Sequence, residues 1–419
     1  MNVIKRDGRI VDFNKVKIIK AIEKAFAEID KDVTEEDFNK IYAIADSIEK
    51  ENKDLNVEDI QDIIEKKLMA TNRKDVAKAY ILYRDKRTRE RDKNSKFRKQ
   101  LKEKLSASNV QNQNANVDEK SFGGRIGEAS DSMLKKIALD EYVSKKARTN
   151  HLKNRIYIHD LSSYVVGSHN CLTIPFDDLL ANGFTTRQTD IRPANSINTA
   201  FQLLAVIFQL QSLQQFGGVS ASHVDWTMIP YVRKSFYKHY QEIFDIIPFV
   251  KNNINLSEDD IIKISIDDKK YKGKYWFNFI KRYIYKKAYK STVKELNQAV
   301  EAMYHNLNSL QSRSGNQLPF TSINYGTCTL IEGRMVIKAL LEGSIKGVGK
   351  FHKTSIFPCG IFQCMKGVNR ESKDPNYDLF QLALKSTAQR LYPNYANVDW
   401  SGNKGYDINN PKTYFSTMG

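Results

Sequence analysis

A chain of 419 residues with 41% hydrophobic composition can bury more than one core. Its formal charge of +17 calls for a polyanionic partner, whether nucleic acid, nucleotide or acidic protein, and does not choose among them. No apolar run is long enough to span a bilayer and the N-terminal residues lack the apolar core of a signal peptide; this argues against a membrane partner and for the cytoplasm as the default location.

The chain opens with VIKRDGRIVDF, two short apolar segments around Asp7-Gly8, which predicts a small β-hairpin. Asn14 is placed to cap a helix whose stripe is Ile18, Ile19, Ile22, Ala25, Phe26 and Ile29. Thr34 and Asp37 form a capping box for a second helix through Phe38, Ile41, Ala45 and Ile48. A third helix carries Ile60, Ile63, Ile64 and Leu68, and a fourth Val76, Ala79, Tyr80 and Tyr83. Residues 1–92 thus read as a hairpin on a helical bundle. The charge run RDKRTRERDKNSKFRKQLKEK and the polar SASNVQNQNANVDEK follow, predicting a linker and lead-in over 93–150.

Beyond Asn150, β-like runs (155–159, 164–166, 171–174, 321–325, 354–362) alternate with long helical patterns, which predicts an α/β body over 151–419. The longest apolar helix, Ser196 to Phe216, is apolar around most of its circumference and is expected to be buried by the core or by a second subunit, with Gly217-Gly218 as its stop. The stretch Lys269 to Lys290 interleaves aromatics with Lys and Arg as single-strand binding platforms do. An amphipathic helix with Phe277, Ile280, Ile284 and Ala288 inward and a solvated basic face accounts for the same letters and is preferred. His159 and Asp160 read as structural residues at a strand end.

Four cysteines, Cys171, Cys328, Cys359 and Cys364, are too few and scattered for a disulfide framework. No two form a CxxC and no histidine completes a zinc spacing, so no metal site is predicted; Cys328, Cys359 and Cys364 read as structural. Cys171, after His169 and Asn170, opens an apolar strand-like run and has the strongest chemical reading of the four, although on residue pattern alone a free cysteine there more often only fills space. In the first domain Lys5, Arg6, Arg9, Lys17, Arg84 and Arg87 converge on one end of the bundle, and several cations there suit a triphosphate, although on these residues alone a solvated basic rim is the simpler reading.

VIKRDGRIVDFNKVKIIKAI with DIQDIIEKKLMATNRKDVAKAYILYRDKR resembles the ATP cone, the regulatory module of many ribonucleotide reductases and of the repressor of their genes. RIYIHDLSSYVVGSHNCLTI, LQQFGGVSASHVDW, LPFTSINYGTCT, EGRMVIKALLEG, IFPCGIFQ and DPNYDLFQLALKSTAQRLYPNY resemble successive segments of the anaerobic, glycyl-radical ribonucleoside-triphosphate reductases, in their order. The resemblance implies an α/β fold: a helical ATP cone with its hairpin, then part of a ten-stranded α/β barrel of the glycyl-radical and ribonucleotide reductase type. It implies ATP and dATP as effectors, ribonucleoside triphosphates as substrates, formate as reductant, a radical S-adenosylmethionine activase as partner and a homodimer. Onto Cys171 it carries the role of the cysteine that faces the ribose opposite the radical cysteine and helps reduce the 2′ position. His169 and Asn170 become its neighbours in the substrate pocket, and Ser322 and Asn324 of TSINYG further lining, although turn capping explains those two nearly as well.

In the family, the segment resembling YFSTMG (Tyr414 to Gly419) leads directly to the thiyl-radical cysteine, and a CxxC-paired zinc site and the glycyl-radical loop lie further on. The expectation is therefore that this chain lacks both radical carriers, needs the C-terminal remainder of the enzyme, and makes no deoxyribonucleotide alone. A cone-bearing nucleotide sensor or nucleic-acid-binding repressor is the alternative, but it would carry a zinc ribbon and a smaller body. An aerobic or cobalamin-dependent reductase shares cone and barrel but not the HNCL and INYGT segments.

Overall fold

The computed structural model describes residues 2–6, 8–30, 33–51, 53–93, 96–106, 120–167, 169–215, 217–247, 263–272, 278–313, 316–400 and 405–414. Asp7, Phe216, Phe277, most of the polar stretch after Ser106 and the last five residues of YFSTMG lie outside them. The chain divides into two compact units, Met1–Glu103 and Lys104–Gly419. No helix among the described residues is long and apolar enough to cross a membrane.

In the first unit β1 (Asn2–Ile4) and β2 (Ile10–Asp12) form the hairpin, closed by the Lys5 amide donating to the Arg9 carbonyl at 2.8 Å. Gly8, at φ +81°, supplies the left-handed turn that a side chain would resist. Then come α1 (Lys15–Ala27), α2 (Glu35–Glu49), β3 (Leu55–Asn56), α3 (Val57–Met69) and α4 (Lys74–Lys93). β3 adds to β1 in parallel, making a three-stranded sheet. The capping box is present: the Asp37 amide donates to Thr34 Oγ1 at 3.3 Å, and Asp37 Oδ2 accepts from the Thr34 hydroxyl at 2.6 Å. Asn14 occupies the N-cap of α1 without a side-chain cap bond. The core is Ile18, Ile22, Phe26, Ile41, Ile48, Ile64, Leu68 and Tyr80, as the stripes require, whereas Ile29 and Phe38, at the stripe ends, are exposed.

The second unit carries α6 (Phe122–Ile137) after α5 (Lys96–Ser106), which straddles the boundary. It continues through α7 (Lys145–Leu152), α8 (Leu161–Val166), β4 (Leu172–Thr173), α9 (Phe176–Asn182), the small hairpin β5 (Phe184–Thr185) and β6 (Asp190–Ile191), α10 (Ile197–Ser212) and β7 (Val219–Ala221). α11 (Val224–Thr227), α12 (Ile229–Asp245), α13 (Lys269–Lys272) and α14 (Asn278–Ser309) precede β8 (Thr321–Tyr325). α15 (Ile331–Lys346), β9 (Cys359–Cys364), α16 (Tyr377–Arg390) and β10 (Asn394–Asn397) complete the unit. The five strands pair in parallel in the order β10-β9-β8-β7-β4, each crossover carrying helices, as parallel pairing demands.

Val219, Ala221, Ile323, Tyr325 and Phe362 project from one face of this sheet into a core shared with α10, α12, α14, α15 and α16. α10 is buried through Phe201, Leu204, Ala205 and Phe208 against this core, which accounts for its apolar circumference. It ends at Ser212, before Gly217-Gly218. In α14, Ile284 and Ala288 are fully buried while Arg282, Lys286 and Lys287 are exposed, so the amphipathic-helix reading of the basic stretch holds where it is described.

Three expectations are corrected. Residues 155–159 are irregular backbone with bends rather than a strand, and 164–166 lie in α8: Asp160 takes a left-handed φ of 56° and starts a helix there. The β-run placed at 354–362 begins only at Cys359. Of the expected partial barrel, the described residues form a five-stranded parallel sheet with β4 and β10 at its edges.

Candidate functional site

Two cavities adjoin in the first unit. One, of about 200 Å³, has walls from Val3, Phe13, Ile18, Ile60 and Tyr80, with Lys5, Asp12, Asn14, Lys17 and Gln61 as its polar groups. The second, of about 300 Å³, is lined by Tyr83, Arg84, Arg87 and Arg91. Ala21, Gln61 and Tyr80 belong to both, so an apolar chamber opens beside a cationic one. Helices α1, α3 and α4 position most of these groups: Lys17 is in the first turn of α1, Gln61 is on α3, and Arg84, Arg87 and Arg91 recur on one face of α4.

The cations are not equivalent. Lys5 and Lys17 form no ion pair among the described residues. Arg84 is tied to Glu58 at 2.8 Å, Asp62 at 2.7 Å and Glu65 at 2.8 Å; burial opposes its charge, but these bonds outweigh burial and hold it firmly protonated. Glu58 also binds Arg6, and the bond from Arg84 followed by that from Arg6 holds its carboxyl below the usual range. Arg87 lies over the Tyr83 ring and donates to its hydroxyl at 3.1 Å, which lowers the phenol's pKa. Arg6 and Arg9 are in neither cavity: Arg6 turns to Glu58, and Arg9 sits exposed on the hairpin. Arg91 and Gln61 were not singled out in the sequence, where Arg91 is one letter of a charge run.

In the second unit Cys171 stands one residue before β4. Register places Thr173 beside Ser220, Ser220 beside Ser322, and Ser322 beside Cys359. Side chains alternate along a strand, so Cys171, Thr173, Ser220, Ser322 and Asn324 share the sheet face opposite the helix-packed core. Asn324 is fully buried and donates from Nδ2 to Ser220 Oγ and to the Ala221 carbonyl, each at 3.1 Å; Ser322 is buried beside it. The Gly218 amide donates to Cys171 Sγ at 3.3 Å, and Sγ lies 3.7 Å from Asn170 Oδ1. Gln215, which the sequence reading passed over, donates from Nε2 to the carbonyls of Gly218 at 2.8 Å and Asn170 at 3.4 Å and so fixes both segments.

The expected inward-pointing thiol is not found. Cys171, His169 and Asn170 are exposed; β4 is an edge strand, and among the described residues no further strand covers that face. Cys328 and Cys359 are buried, and burial raises the pKa of each thiol. Among the described residues no cluster of His, Cys, Asp and Glu could hold a metal ion.

A second polar centre lies at the carboxyl end of the sheet. Asp225 is fully buried: Oδ2 accepts from the amides of Gly326 and Cys328, each at 2.9 Å, while Oδ1 has no partner among the described residues. Burial raises its pKa, and the two amides only partly offset this. Asp177 bonds to His223 Nε2 at 2.9 Å and accepts from the Thr227 hydroxyl at 2.5 Å. Burial works against its charge, yet these bonds hold its carboxyl well below the usual range.

Residues 1–89 match the family model of the ATP cone domain, and residues 113–419 that of anaerobic ribonucleoside-triphosphate reductase. The anaerobic ribonucleoside-triphosphate reductase of Haemophilus influenzae is 30% identical over 408 residues, covering 95% of this chain and 52% of its own length. That of Escherichia coli is 27% identical over 402 residues, covering 95% and 51%. The chain spans about half the length of the curated relatives it matches. Among solved structures, the Thermotoga maritima anaerobic ribonucleotide reductase in complex with dATP and CTP aligns with a TM-score of 0.43 at 13% identity, over 68% of this chain and 44% of that one. With a family model covering the whole described sheet and a second covering the bundle before it, the chain belongs to the anaerobic ribonucleoside-triphosphate reductase family, with an ATP cone at its start.

Proposed function

We propose that this chain supplies the regulatory cone and the first half of the catalytic sheet for anaerobic reduction of ribonucleoside triphosphates, with formate as reductant. The observation that carries the reading is the common sheet face of Cys171, Ser322 and Asn324 in a body of this family. On that face Cys171 takes part in reducing the ribose 2′ position, whose hydroxyl leaves as water while formate supplies the electrons; His169 and Asn170 orient the thiol, and buried Ser322 and Asn324 offer hydrogen bonds to the sugar. The exposed edge at β4 suits closure by the half of the relatives that the chain does not span, where resemblance places the thiyl cysteine, the zinc site and the glycyl radical. A radical S-adenosylmethionine activase, a homodimeric assembly and a cytoplasmic location belong to the same reading, as does a domain division at 92 and 150.

In the cone, the apolar chamber suits an adenine base and the cationic one a triphosphate, because guanidinium and ammonium groups neutralise phosphate oxygens with charge-assisted bonds. Lys5, Lys17, Arg84 and Arg87 are the contacts there, with Arg6 and Arg9 acting from the rim. ATP and dATP compete for this site as effectors.

The test is an anaerobic assay of the chain together with a polypeptide supplying the relatives' remaining half, with activase, S-adenosylmethionine, formate, ATP and a ribonucleoside triphosphate. Deoxyribonucleotide should form with the native sequence and not with Cys171→Ser, while both bind ATP equally. Turnover that survives Cys171→Ser would refute the assignment.

A further inference from the structure

We propose that Asp177 is the anchor that holds the segment Gly405–Tyr414 to the carboxyl end of the parallel sheet, through Lys412, and is thereby a positioning residue for the backbone that leaves this segment at Tyr414. Lys412 Nζ lies 3.3 Å from Asp177 Oδ2 and 4.0 Å from Asp178 Oδ1. Asp177 cannot swing away to meet a different cation, because His223 and Thr227 each hold one of its oxygens, and His223 is itself braced by the Ser222 hydroxyl at 2.5 Å. The carboxylate is thus fixed from the α9, β7 and α11 side before Lys412 arrives.

The segment is self-knit. The Asp407 amide donates to Thr413 Oγ1 at 2.8 Å, the Thr413 hydroxyl donates back to the Asp407 carbonyl at 3.1 Å, and the Tyr414 hydroxyl donates to the Ile408 carbonyl at 2.7 Å. A unit so closed moves as one piece and needs attachments to have a fixed place. Among the described residues Tyr406 and Tyr414 pack with Met365 and Val398, and Lys412 meets Asp177. Pro411 and Lys412 also wall a cavity of about 330 Å³ with Trp226 and Tyr231, so release of the segment opens that cavity. The bearing on catalysis rests on the reductase reading, in which YFSTMG leads to the thiyl cysteine; the anchoring does not.

Hydrogen–deuterium exchange of the chain, read over peptides covering 405–414, tests this without nucleotide or turnover. Lys412→Met and Asp177→Asn should each raise exchange about fivefold, the scale of one partly exposed ion pair. Lys412→Arg should restore protection, and the double variant should exchange no faster than the single ones. Unchanged exchange in Lys412→Met, or additive effects in the double variant, overturns the proposal. Protection in β8 reports whether Asp177→Asn has kept its fold; if it has not, Lys412→Met and Lys412→Arg decide.

Discussion

A Cβ atom on Gly217 would stand 1.6 Å from the carbonyl oxygen of Asn170, so only glycine lets the strand leading into β7 pass the residue before Cys171. The neighbouring Gly218 amide then reaches the thiol. Gly217→Ala should force these segments apart, costing roughly 2 kcal/mol by the scale of overpacked sites. Urea denaturation measures the loss, and Cys171 should become faster to alkylate as its bond from Gly218 is lost. A variant as stable as the native chain would refute this close approach.

The four thiols should separate by reactivity. Cys171 is exposed, whereas Cys328 and Cys359 are buried, with pKa values raised by burial. Since the thiolate is the reactive form, iodoacetamide at pH 8 should modify Cys171 at least about tenfold faster than either. Mass spectrometry of the alkylated peptides gives the order. Equal rates for Cys171 and Cys328 would mean that the sheet is not packed as described.

Asp225 should make stability depend on pH in a known direction. Its folded pKa is raised, so the native state holds a proton that the unfolded chain releases, and stability falls as pH rises from the unfolded value of about 4 through the folded one. Asp225→Asn keeps an acceptor for Gly326 and Cys328 and has no charge to bury, so it should flatten that fall and match or exceed the native stability at pH 7. Asp225→Ala leaves two buried amides without their acceptor and should cost roughly 2 kcal/mol. Thermal melts from pH 4 to 8 distinguish the three.

In the cone, Thr34 bonds and then Arg73 hold the Asp37 carboxyl below its usual range. Its contribution is present above the unfolded pKa of about 4 and is lost as pH falls through the lower folded value. Thr34→Ala should cost about 1 kcal/mol at pH 7, the scale of a lost helix cap, and less at pH 2. Circular dichroism melts of the chain at both pH values check this; a cost that is the same at both would detach the cap from Asp37.

Local patterns were legible in the sequence wherever one residue type had one physical use. The Thr34–Asp37 box, the stripes of α1 to α3 and the all-buried strand Thr321–Tyr325 follow from capping and periodicity. Val219–Ala221 and Asn394–Asn397 did not show, being three or four residues without an apolar run, and strands that short are fixed by their neighbours rather than by propensity. The site was legible in part for the same reason. Cys171, Ser322 and Asn324 could be picked by residue type and resemblance, but their common face depends on the register of β4, β7 and β8. Gln215, Asp177 and Lys412 act on segments 45, 46 and 235 residues away in sequence, and no local pattern marks such partners.

The most direct test of the account is calorimetric titration of the chain with ATP and with dATP. One site should bind each in the micromolar to low millimolar range, with each nucleotide displacing the other. Lys17→Ala and Arg87→Ala should each weaken binding about tenfold or more, the scale of one charge-assisted bond. Thermal stability without nucleotide should stay unchanged, since Lys17 makes no ion pair among the described residues and Arg87 is exposed. No heat from either nucleotide at low millimolar concentration, or native affinity in both variants, would contradict the assignment of the paired cavities as a nucleotide site.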